Sequence, residues 1–229
     1  MHIGIVSKSA EGACLCVRTI CNEGAKHSGA SHAHPEISLH VVPLATYLPN
    51  LHRGDYQQLA DQLLVSAHKL ANMGAQMLIT PDSSMFAAMP FVLPKSPLPW
   101  LSASEVVAEA ALIGGYRKVG LLATDWVIQN GTFQQALAAY RVECLTPPAA
   151  TTEAIDDIIV SEMFAGVHKI ESFRFMQAAA QEMKKQGCEA IILGASEMSL
   201  MLTTENLGLP VLSPAKLLAQ EALRCVANL

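Results

Sequence analysis

Charge is scarce in this sequence. Only 15% of its 229 residues are Asp, Glu, Lys or Arg, and the formal net charge is −5. No stretch concentrates Lys and Arg into a basic patch. That argues against nucleic acid as a partner, because phosphate binding needs clustered cations. Long hydrophobic runs are missing too. No run reaches the roughly 18 apolar residues of a membrane span, so no membrane partner is expected. The opening "MHIGIVSKS" does not have the charged-then-apolar layout of a signal peptide. A cytoplasmic protein is the expectation. There is no GxGxxG and no P-loop, so no nucleotide is implied.

Cysteine is present but unorganised. Cys14, Cys16, Cys21, Cys144, Cys188 and Cys225 form no CxxC pair. In a reduced compartment they are expected to stay free and to pack as small apolar residues, with the first three on one helix. His32 and His34 make an H-x-H pair inside "HSGASHAHPE", with no Cys or carboxylate set around it. A polar loop is the expectation there, and no metal is expected.

What the sequence does have is hydrophobicity, at 51% of residues, delivered in short runs. "HIGIVS" (2–7), "ISLHVV" (37–42), "QMLIT" (76–80), "KVGLLA" (118–123), "EAIILG" (189–194) and "LPVLS" (209–213) read as strands. Helical spacing fills 54–73, 103–114, 127–140, 152–164, 170–186 and 215–227. The clearest helix begins near Asp55 and is closed by Gly74. Strands alternating with helices predict α/β layers with parallel sheets, whose strands are buried on both faces.

The chain also repeats itself. "GAQMLITPDSS" (74–84) parallels "GCEAIILGASE" (187–197), at an offset of 113 residues. "LPWLSASEVVAEAAL" parallels "LPVLSPAKLLAQEAL" at 111, and "HIGIVSK" parallels "KVGLLAT" at 116. Three matches in nearly constant register predict two similar lobes related by a pseudo-twofold: 1–101 plus 213–229, and 102–212. Ligands of open parallel sheets sit outside the carboxyl ends of the strands. Those ends are Asp82-Ser83-Ser84 and Ser7-Lys8-Ser9 in one lobe, and Ala195-Ser196-Glu197 and Thr124-Asp125 in the other. The expected site is a cleft between the lobes.

In this order the segments resemble the aspartate/glutamate racemase family, over nearly the whole chain. "IGIVSKSAEGA" is similar to the family's opening strand and Ser-x-Glu turn. "HPEISLHVV" and "RGDYQQLADQL" resemble its second strand and the following helix. "VGLLATDWVIQNGTFQQAL" is similar to the start of its second lobe, and "GCEAIILGASEMSLML" to the segment ending in Gly-Cys-Thr-Glu. The resemblance implies two flavodoxin-like lobes, a small amino-acid or dicarboxylate substrate, no cofactor and a homodimer. It also implies a mechanism in which two thiols work on opposite faces of the α-carbon.

Both thiol positions differ here. The family's Cys-Asn-Thr is Asp82-Ser83-Ser84, with Phe86 where a His follows, and its Gly-Cys-Thr-Glu is Gly194-Ala195-Ser196-Glu197. Ala195 has no proton to give, so two-thiol racemisation is expected to be lost. Asp82 can act as a single base, hold a water, bind a ligand, or simply cap the next helix with Ser83. Ser196 is its candidate hydroxyl partner. Ser9, Ser83, Ser84, Thr124, Lys169 and Glu197 are the candidate substrate-binding residues. Each has a plainer reading: turn and cap residues for Ser9, Ser196 and Glu197, and a solvated surface cation for Lys169. The plainer reading is stronger still for Arg53. An enzyme with altered one-base chemistry and a non-catalytic binder both remain open.

Overall fold

A computed structural model of the protein describes residues 1–227. They divide into two compact units, Met1–Ala103 with Ala215 onward, and Ser104–Pro214.

The first unit runs β1 (His2–Ser7), α1 (Ala10–Ser28), β2 (Glu36–Val41), α2 (Leu44–Arg53), α3 (Tyr56–Asn72), β3 (Met77–Ile79) and the short α4 (Met89–Val92). Its sheet is parallel, in the order β2-β1-β3. All six residues of β1 are buried, as expected of the central strand of a covered parallel sheet. Asp55 caps α3 by accepting from the Gln58 N–H at 3.1 Å. Leu59, Ala60, Leu63, Ala67 and Leu70 then recur along one stripe and bury it beside Val6, Leu78 and Tyr47.

The second unit runs α5 (Ala103–Ile113), β4 (Lys118–Leu122), α6 (Asp125–Gln129), α7 (Thr132–Ala139), β5 (Glu143–Leu145), α8 (Ala149–Ser161), α9 (Ile170–Lys185), β6 (Ala190–Leu193), α10 (Thr204–Leu207) and β7 (Val211–Leu212). Its sheet is again parallel, β5-β4-β6-β7. Met176, Ala180 and Met183 of α9 pack with Leu122, Ile191 and Leu193. The last helix, α11 (Pro214–Ala227), belongs to the first unit from Ala215 onward. There the Cys16 thiol donates to the Ala215 carbonyl at 3.4 Å.

The repeat read in the sequence is a repeat of hydrogen bonds. Leu78 N donates to Pro99 O at 2.8 Å, and Ile191 N donates to Pro210 O at 2.9 Å. Both central strands carry a glycine where a neighbouring side chain crosses. A Cβ on Gly4 would lie 2.6 Å from Leu78 Cδ2, and one on Gly120 would lie 2.7 Å from Ile191 Cδ1.

Some elements differ from the sequence reading. The expected helix over 127–140 is two helices, broken at Gly131, which sits in the left-handed region at φ 69°. Two elements had no clear signal. α2 carries Pro49 inside it and has no side-chain cap, and β5 is a three-residue strand with an exposed polar first residue. Among the cysteines, Cys16 and Cys188 are buried while Cys14 is exposed, so Cys14 does not pack as an apolar residue. Among the described residues, no helix is long and apolar enough to cross a membrane.

Candidate functional site at the strand ends

The strand ends of the first unit are built by adjacency. β1 and β3 are hydrogen-bonded neighbours running the same way, so the residues after each emerge side by side. Asp82, only 4% exposed, lies just beyond β3. Its Oδ2 accepts from the Ser7 hydroxyl at 2.9 Å and from the Lys8 backbone N–H at 2.7 Å. Asp82 heads a 3₁₀ turn over Ser83–Ala88, but its side chain makes no capping bond to that turn. The carboxylate reaches across to the neighbouring strand end instead. Two donors on one carboxylate oxygen stabilise an anion and hold it still.

Ser7 is the hinge of this arrangement. Its Oγ donates to Asp82 Oδ2 and to Ser9 O, both at 2.9 Å, and accepts from Ser9 N at 3.2 Å. One hydroxyl proton serves both acceptors, and the charged one holds it more strongly. Ser9 caps α1 by accepting from the Gly12 N–H at 3.1 Å. Ser83 is buried, and so is Ser84, whose Oγ has no hydrogen-bond partner within the protein. A buried orphan hydroxyl costs about 1–3 kcal/mol, so it needs an explanation.

The negative field of Asp82 reaches two neighbouring acids. Burial pushes the Cys16 thiol far up, and the Asp82 carboxylate pushes it the same way. Burial also raises the Tyr47 phenol, with the nearby Ser66 hydroxyl acting against it and Asp82 acting with it. The fully buried Cys16 is therefore held as a thiol, not as a nucleophilic thiolate.

The second unit repeats the layout. β6 leads through Gly194 and Ala195 into a 3₁₀ turn over Ser196–Leu200. Met198 N donates to Ala195 O at 3.2 Å, as Met85 N donates to Asp82 O at 2.9 Å. Gly194 is required there, because a Cβ would lie 2.5 Å from Ala123 Cβ on the adjacent strand end. Ala195 and Glu197 are buried and Ser196 is half-buried. Thr124 leads into α6 without a side-chain cap bond, and its buried Oγ1, like that of Ser84, has no partner within the protein.

Other residues singled out from sequence lie elsewhere. Lys169 precedes α9, half exposed, and its Nζ donates to Glu162 Oε1 at 2.9 Å. Ser172 donates to the other oxygen of Glu162 at 2.6 Å, and these two bonds, Ser172 first, hold the Glu162 carboxyl below the usual range. Arg53 donates to Asn50 Oδ1 at 2.5 Å. His34 Nδ1 contacts Pro35 O at 2.9 Å. Among the described residues, no group of three or more His, Cys, Asp and Glu converges as a metal would require. Ser7 and Tyr47 were not picked as site residues from sequence. Ser7 can be found from strand adjacency once β1 and β3 are paired, whereas Tyr47 lies in the unheralded α2.

Comparison with known proteins agrees with this architecture. A candidate Asp/Glu racemase from Yersinia pestis superposes with a TM-score of 0.86 at 23% identity, covering 100% of this chain and 99% of that one. An aspartate racemase homologue from Pyrococcus horikoshii OT3 gives 0.80 at 20% identity, covering 100% and 99%. Glutamate racemase from Aquifex pyrophilus gives 0.69 at 16%, covering 98% and 84%. At these identities the likeness is one of fold. The sequence model for Asp/Glu/hydantoin racemases matches residues 18–222, which is most of the chain. The protein therefore belongs to the Asp/Glu/hydantoin racemase family.

Proposed function

We propose that this protein uses the racemase scaffold to bind a small amino acid or dicarboxylate at its strand ends, without a cofactor and without two-thiol racemisation. The observation that carries this reading is the chemistry at the two motif positions. Asp82 and Ala195 stand where the resemblance puts the thiols, and Ala195 has no proton to transfer. The buried cysteines offer no replacement. Burial raises both Cys16 and Cys188, and Cys188 precedes β6, at the end of that strand away from Ala195. The unpartnered hydroxyls of Ser84 and Thr124 support ligand binding, since each needs a hydrogen-bond partner from outside the chain.

A second reading is favoured by the way Asp82 is held. A carboxylate fixed by Ser7 and the Lys8 N–H is oriented as a general base is oriented, so lyase, isomerase or hydrolase chemistry with one base is the alternative. Proton exchange separates the two. L- and D-forms of Asp and Glu are incubated with the protein in heavy water, and the α-proton signal is followed by NMR. The binding reading expects no exchange and a ligand-induced rise in Tm. Exchange that Asp82→Asn abolishes would establish the one-base alternative, and no stabilisation by any acid would refute ligand binding. Homodimerisation belongs to the same reading, and light scattering at the mass of two 24.5 kDa chains is its check.

A further inference from the structure

We propose that the outer edge of β2 is the surface through which two copies of this chain pair, antiparallel and about a twofold axis at Ser38. This inference rests on the homodimer reading above and gives it an interface.

The first observation is an edge without protection. β2 has β1 on one side and, among the described residues, no strand on the other. Val42 N donates to Ser7 O at 2.9 Å. Backbone groups alternate along a strand, so the even-numbered residues of β2 bond to β1, and the N–H and C=O of Ile37, Leu39 and Val41 point outward. Exposed edges are usually blunted by lysine, proline or a bulge. The strand "EISLHV" contains no lysine or proline, and its register with β1 runs without a bulge. Instead Leu39 and Val41, 41% and 44% exposed, continue an apolar stripe from Ile37 on one face of the strand.

The second observation is charge on the other face, which carries Glu36, Ser38 and His40. Glu36 opens the strand with its side chain 75% exposed, and His2 Nδ1 lies 3.9 Å from it. At the far end His40 Nδ1 bonds to Ser66 Oγ at 2.9 Å, and Lys69 Nζ lies 3.3 Å from His40 Nε2. A Lys ammonium has protons to donate and no lone pair, so Nε2 accepts and the ammonium is held beside His40. One end of the edge is therefore negative and the other positive. Antiparallel pairing of two identical edges matches both ends at once, which makes the contact isologous. With Ser38 opposite Ser38, Glu36 of each copy faces His40 and Lys69 of the other. Ile37 then faces Leu39 of the other copy, and their outward backbone groups exchange hydrogen bonds. Parallel pairing in register would set Glu36 against Glu36, a like-charge contact.

The test is sedimentation velocity on the full chain at pH 7 over a range of concentrations. A dimer of 24.5 kDa chains is expected. Leu39→Lys places a charge in the apolar stripe and should give a monomer, with folding checked by circular dichroism. Glu36→Lys and Lys69→Glu should each raise the dimer dissociation constant about tenfold, because the twofold breaks each ion pair twice. The double variant exchanges the two charges and should return the constant toward that of the unaltered protein. A dimer that none of the single variants weakens overturns the inference and leaves homodimerisation, through another surface, standing. Weakening by both charge variants with no recovery in the double variant also overturns it. A monomeric unaltered protein overturns the inference and the homodimer reading together.

Discussion

Replacing Ser7 by Ala tests whether Asp82 is held as described. The substitution removes the 2.9 Å donor to Asp82 Oδ2 and the acceptor for the buried Ser9 N–H. A hydrogen bond to a charged group contributes about 1.5–3 kcal/mol, and an ordinary one about 1. The Lys8 N–H at 2.7 Å stays and offsets part of the loss. The expected cost is therefore about 2–3 kcal/mol in urea unfolding at pH 7. A double-mutant cycle isolates the specific term. In an Asp82→Ala background the Ser7 hydroxyl keeps both its bonds with Ser9, donating to the carbonyl and accepting from the N–H, so Ser7→Ala should then cost about 1 kcal/mol. A coupling of about 1–2 kcal/mol follows. An equal cost of Ser7→Ala in both backgrounds would refute the reasoning, because the hydroxyl would then not be supporting the carboxylate.

Three further predictions follow from other parts of the molecule. Gly194→Ala should destabilise by about 1–3 kcal/mol, and by more than Gly120→Ala. The new Cβ at 194 meets the Cβ of Ala123, whereas at 120 it meets the flexible ends of Ile191 and Met183; the reverse order in urea midpoints would contradict this. With a disulfide reagent at pH 8, the exposed Cys14 should react before unfolding, while Cys16 and Cys144 should react only after it. Burial and then Cys188 push Cys144 up to about 12, so early labelling of Cys144, mapped by mass spectrometry, would count against its assignment. Glu162 is held low by Ser172 first and by Lys169. Because its folded value is depressed, its contribution is present above the unfolded carboxyl pKa and is lost as pH falls through the lower folded value. Lys169→Met should move its NMR titration midpoint upward but leave it below the ordinary carboxyl range, and an unchanged midpoint would show that the pair does not form in solution.

Much of the fold was legible because burial leaves a local mark. The strand signals at 2–7, 118–123 and 189–194 come from runs buried on both faces, and α3 announced itself through its apolar stripe, Asp55 and Gly74. Where burial is partial, the mark is weak. β5 is an edge strand paired with β4, its residues are exposed or half-buried, and its backbone bonds write nothing into the side-chain pattern. α2 hid behind an internal proline, and the break at Gly131 interrupts a periodicity that continues on both sides of it.

By itself, then, the sequence determined the alternation of strands and helices, the near-constant offset of the repeated segments, and the clustering of Asp82, Ser83, Ser84, Ala195, Ser196 and Glu197 at strand ends. These depend on residue type and spacing along the chain. The tertiary structure decided what those residues touch. Ser7 and Asp82 are 75 positions apart and meet because β1 and β3 pair in parallel. The Asp82 side chain turns away from the turn it heads, Lys169 bonds to Glu162, and Ser84 and Thr124 are left with unpartnered hydroxyls. Hydrogen bonds act over about 3 Å of space, and no spacing along the chain encodes which donors the fold will bring within that distance. "PDSS" in the sequence is an acidic turn with several possible roles; in the folded unit its acid is buried and oriented by Ser7 and the Lys8 N–H.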